Sequence, residues 1–122
     1  MRGTPGSYIL FLSLPEQKTI TVGKLGVIDF PAGLYAYVGS ALGGWESRVN
    51  RHLVGGAKVH WHIDYLRAEA RVQGAIVFAS SERLECKINE ALAKTSQTIA
   101  PGFGSSDCGC STHLHLMIDR SD

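Results

Sequence analysis

The tightest constraint on this chain is a strand that stops at a glycine and gives way within a few residues to a helix. Tyr35-Ala36-Tyr37-Val38 is β-prone and ends at Gly39. From Trp45 the period changes: Trp45, Val49 and Leu53 recur every fourth residue, which is one face of a helix, and Gly55-Gly56 supplies its stop. On a wheel of about 100° per residue, Arg48 and His52 fall beside that apolar stripe rather than opposite it. A guanidinium and an imidazole are therefore expected against the body of the protein. Gly39, with no Cβ, lets backbone or substrate approach closely where strand becomes loop.

Other elements follow from the same local signals. Ser7 to Ser13 reads as a strand, Thr19 to Val22 alternates as a second, and Gly23-Lys24-Leu25-Gly26 turns the chain into a third over Val27 to Phe30. Pro31-Ala32-Gly33 separates this hairpin from the strand Leu34 to Gly39. A helix is expected over His60 to Ala70, and a nearly continuous apolar strand over Val72 to Ala79. Ser80-Ser81 caps a further helix running to about Lys94. Residues 95–111 read as loop, and Thr112 to Asp119 as a final strand. The order predicts a mixed α/β (α+β) fold, a largely antiparallel sheet flanked by helices with an inserted N-terminal hairpin.

With 122 residues the chain is one domain, long enough for a hydrophobic core. No apolar run approaches the roughly 20 residues of a membrane span. Tyr8 to Leu14 is too short and poorly flanked for a signal peptide, and three cysteines argue against a disulfide framework. The expectation is a cytoplasmic protein without a membrane partner. A net charge of +1 does not suggest a nucleic-acid binder, but its distribution is uneven. Arg48, Arg51, Lys58, Arg67 and Arg71 stand against Asp64 and Glu69, with His52, His60 and His62 interleaved, which makes a local positive patch.

Tyr37-Val38-Gly39-Ser40-Ala41, followed by Trp45 through His52, resembles the second half of the signature of the GIY-YIG nuclease superfamily, in which a strand ends in Tyr-x-Gly and the next helix carries an inward Arg with a His one turn later. The first half is Gly6-Ser7-Tyr8, where Ser7 replaces the usual isoleucine and the hairpin lengthens the gap. Gly33-Leu34-Tyr35 is a competing match, but it abuts the second half on one strand, so Tyr8 is preferred. With His60-Trp61-His62-Ile63-Asp64-Tyr65-Leu66 and Gly102-Phe103-Gly104-Ser105-Ser106-Asp107-Cys108, the chain is similar to an uncharacterised GIY-YIG-like family found alone or fused to endonuclease III-type DNA repair enzymes. The likeness spans nearly the whole chain and implies a single GIY-YIG-like domain over residues 1–122.

The resemblance implies a metal-dependent endonuclease that hydrolyses nucleic-acid phosphodiesters, DNA in preference to RNA, in repair or processing. It assigns Tyr8 or Tyr37 as base or water-positioner, Arg48 to the phosphate, and one glutamate, here Glu85, to Mg²⁺ or Mn²⁺. A phenol with pKa of about 10 needs a nearby cation to lose its proton, and Arg48 supplies one whose planar fork suits a phosphate. His52 would bind the phosphate or protonate the leaving oxygen. Gly39, Ser40, Arg51 and Lys58 are the candidate nucleic-acid contacts. Glu85 is expected at the edge of a stripe made by Leu84, Ile88, Ala91 and Leu92. A carboxylate there is costly unless paired or bound to a cation.

One departure weighs against catalysis. Many active members carry an asparagine near a proline after the glutamate helix, whereas Pro101 is followed here by Gly-Phe-Gly-Ser-Ser-Asp. Ser105, Ser106 or Asp107 would have to replace it. The alternative is a catalytically silent module that binds nucleic acid or delivers a repair enzyme. Cys108, Cys110, His113 and His115 hold zinc-competent atoms, but Cys-x-Cys is tighter than usual zinc spacing, and neither histidine is expected to ligate zinc.

Overall fold

The computed structural model describes residues 6–41, 49, 50, 52, 53, 62–79, 84–94, 96, 97, 99, 103 and 112–117. The strands are β1 (Gly6–Leu14), β2 (Lys18–Thr21), β3 (Val27–Phe30), β4 (Gly33–Ala41), β5 (Arg71–Phe78), β6 (Ser96–Gln97) and β7 (Leu114–Met117). Helix α1 spans His62–Arg67 and α2 spans Glu85–Ala93. Residues 49, 50, 52 and 53 are also helical, within the helix expected after Gly39.

An antiparallel sheet in the order β5-β1-β4-β7-β6 forms the middle layer. β1 reads as an almost unbroken apolar run because it lies inside the sheet and is covered on both faces. Alternation sends Tyr8, Leu10, Leu12 and Leu14 to one face and Ile9 and Phe11 to the other. The first face packs with Tyr35, Tyr37, Val49, Ile63, Leu66 and Leu114. The β2–β3 hairpin forms its own two-stranded sheet and seals this side with Val22 and Phe30. The second face carries Ala36 and Val38 and packs against Ile88 and Leu92 of α2. The result is an α+β domain with a five-stranded antiparallel sheet and helices on both sides.

Several expectations change. The segment read as loop contains β6, which pairs Ser96 and Gln97 with Met117 and Leu116. β7 begins at Leu114 rather than Thr112, because the Thr112 hydroxyl takes the Leu114 N–H at 3.1 Å and bends the backbone locally. Leu53 does not join the buried stripe: it is 47% exposed, and His52 turns inward instead. On α2 the buried side chain is Asn89, whereas Ala91 is exposed. Trp45, the Ser80-Ser81 cap and residues 118 and 119 of the final strand lie outside the described residues.

Tyr35, the tyrosine of the competing match, lies in the core. Its ring is fully buried against Phe30, and its hydroxyl donates to the Pro31 carbonyl at 2.6 Å. Burial pushes this phenol up to about 12.

Candidate functional site

Tyr8 and Tyr37 reach the same face of the sheet from adjacent strands. Tyr8 sits opposite Gly39 and Leu10 opposite Tyr37, so the two rings are diagonal neighbours. His52 descends from the helical segment above them. The Tyr8 hydroxyl lies 2.9 Å from His52 Nε2, and the Tyr37 ring stands edge-on to the imidazole with centroids 6.3 Å apart. Tyr8 and His52 are both essentially buried. Three of the expected site residues, separated by as many as 44 positions, are thus in one cluster.

Gly39 makes this cluster possible. A Cβ at position 39 would fall 2.5 Å from Tyr8 Cζ and from its hydroxyl oxygen. The close approach expected at this glycine is therefore taken by the Tyr8 ring.

Arg67, counted above in the positive patch, has a structural task. Its Nε donates to the His52 carbonyl at 2.6 Å and its Nη2 to the Leu53 carbonyl at 3.3 Å. The guanidinium therefore ties α1 to the backbone that carries the imidazole. Only the Arg in the last turn of α1 hinted at this in the sequence. Arg67→Met keeps the aliphatic stem and removes both bonds. It should lower unfolding stability by about 1–2 kcal/mol, measured by urea denaturation.

Glu85 is on the other side of the sheet. It opens α2, which packs on the Ile9, Ala36 and Val38 face, and the preceding Leu84 N–H donates to Ser7 Oγ at 3.3 Å. Glu85 does not share a face with the tyrosines, because α2 covers the opposite face. Its side chain is 14% exposed, and Oε2 lies 3.8 Å from His113 Nδ1. That nitrogen is also 3.0 Å from the Val38 carbonyl, where its proton is directed, so the carboxylate contact is not a hydrogen bond. The side chain beside the buried-edge carboxylate is a histidine. Ser40, next on this face after Val38, belongs to the Glu85 side as well.

His113 and His115 share that face. His115 is held at both nitrogens, with Nε2 2.8 Å from Asn89 Oδ1 and Nδ1 3.3 Å from Ser96 Oγ. Sequence reasoning missed Asn89, whose polar side chain interrupts the helical apolar stripe and is buried against β7. Burial first, and the neighbouring His113 second, lower the His115 pKa below its usual 6.5. The unfolded chain then binds a proton that the folded chain resists. This contribution to stability is complete above the unfolded value and is lost as pH falls through it toward the folded one. Urea midpoints should decline between about pH 7 and pH 5, and His115→Gln should flatten that slope.

Arg48, Arg51, Lys58, Ser105, Ser106, Asp107, Cys108 and Cys110 lie outside the described residues. Among the described residues no group of three or more His, Cys, Asp or Glu side chains is arranged to hold a metal ion. No described helix is long and apolar enough to cross a membrane.

Fold and site together define a small three-layer α+β domain with a buried Tyr–His pair on one sheet face and a Glu–His pair on the other. The profile described as Domain of unknown function DUF123 matches residues 7–122, and the chain belongs to that family. Comparison with curated proteins and with solved structures gave no match.

Proposed function

We propose that this domain acts on nucleic acid, DNA in preference to RNA, and hydrolyses phosphodiester bonds. The observation that carries this reading is the 2.9 Å contact between Tyr8 and His52 beside Tyr37. A phenol hydrogen-bonded to an imidazole is a proton relay: Tyr8 takes a proton from the attacking water as its own hydroxyl proton passes to His52 Nε2. Arg48 fits the phosphate in this scheme because its fork can bind two oxygens at once. The cytoplasm is the proposed location, and a DNA repair enzyme the proposed protein partner.

Dependence on Mg²⁺ or Mn²⁺ belongs to the same proposal, but Glu85 does not fit a metal centre shared with the tyrosines. It faces away from them across the sheet and sits beside His113. No step is therefore assigned to a metal held there. The position of Glu85 also supports a second reading, a module that binds nucleic acid through its basic residues without cutting it.

Branched, nicked and plain labelled DNA, each incubated with Mg²⁺ or Mn²⁺ or a chelator, separates the two. Hydrolysis by the wild type should disappear in Arg48→Ala and fall by about 10²–10⁴ in Tyr8→Phe. Glu85→Gln should retain it. Salt-sensitive binding with no cleavage by the wild type selects the silent module. No binding at all removes both readings.

A further inference from the structure

We propose that two copies of this chain pair antiparallel through the outer edge of β5. β5 has β1 on one side, and no described strand lies on the other. Edge strands in monomers are normally blunted by Lys, Pro or inward charges. From Gln73 to Ala79 there is no charged residue and no proline. The one irregularity is the bulge opposite Phe11 and Leu12, toward the Arg71 end.

Beyond that bulge, Gly74, Ile76 and Phe78 pair with Phe11, Ile9 and Ser7 and so share the sheet face that α2 covers only in part. Ile76 is 50% exposed and Phe78 37%. A groove of about 510 Å³ opens beside them, lined by Phe11, Ser13, Leu34, Gln73, Gly74 and Ile76. A Cβ built on Gly74 would meet nothing within 4 Å, so the space above this glycine is open.

The two halves of an interface therefore lie on the same five residues. Paired side chains in an antiparallel ladder share a face, so a two-fold axis at Ile76 sets Ile76 against its own copy. Phe78 of each chain then lies over Gly74 of the other, and Ala75 lies opposite Val77. An aromatic ring over a cross-strand glycine fills the space that the missing side chain leaves. No like charges face each other in this register, and the ladder satisfies edge N–H and C=O groups. A foreign strand would fill the edge too, but Phe78 and the Gly74 groove complement each other in this chain's own sequence. The pairing is isologous and closed, because it consumes the β5 edge of both copies.

Sedimentation equilibrium of the full chain over a concentration series tests this. The expected species has twice the 13.2 kDa chain mass. Phe78→Ala should weaken the dimer by about tenfold, and Ile76→Lys should leave a folded monomer by circular dichroism. Amide exchange over β5 in the wild type should slow as concentration rises, which keeps the test decisive if a variant misfolds. A wild type that stays monomeric at about 100 μM would overturn the proposal. So would open-ended aggregation, or a dimer with unchanged β5 exchange that Phe78→Ala does not weaken.

Discussion

His52→Ala should destabilise the domain by about 3–5 kcal/mol and abolish any hydrolysis. The imidazole is almost completely buried between the Tyr8 and Tyr37 rings, so its removal leaves a cavity in the packed face. It also strips the Tyr8 hydroxyl of its contact with His52 Nε2, and a buried hydroxyl that loses a partner costs about 1–3 kcal/mol. His52→Gln refills part of the volume and can offer an amide to Tyr8. It should recover much of the stability without restoring the proton relay, since an amide does not titrate in this range. Urea unfolding of both variants, paired with the DNA cleavage assay, checks this. Full activity in folded His52→Gln would remove His52 from the chemistry and leave it as a packing residue.

Gly39→Ala should cost about 1–3 kcal/mol, although glycine-to-alanine changes within strands are usually favourable. The added methyl would stand 2.5 Å from the Tyr8 ring carbon and hydroxyl, and both β1 and β4 are pinned in the sheet. The ring must therefore swing aside, which breaks the Tyr8–His52 contact. Double-mutant cycles give the decisive readout: in a Tyr8→Ala background the ring is gone, and Gly39→Ala should become nearly neutral. An equal cost in both backgrounds would place the strain in the backbone rather than in Tyr8.

The sequence carried the strands β1 to β5, the hairpin and the existence of two helices, but not β6 or which α2 side chain is buried. The legible elements are written in short windows, where period two or period 3.6 and the flanking glycines leave little choice. The neighbourhood of Tyr8, Tyr37 and His52 was also legible, but only through a motif whose spacing relates separate elements. The balance between Leu53 and His52 was not. Both positions lie near the helix's inner face, and the phenol 44 residues away selected the histidine.

Glu85 marks the boundary more sharply. A helical wheel places it at the edge of an apolar stripe, and its side chain is largely buried beside His113. A wheel contains no information about which side of a sheet the helix will cover. That choice was made by contacts between distant segments: Leu84 to Ser7 across 77 positions, His113 to Val38 across 75, and His115 to Asn89 across 26. Local propensity fixed what each segment became. Packing and the pairing of buried polar groups, which bring together residues far apart in the chain, decided on which face each candidate side chain lies.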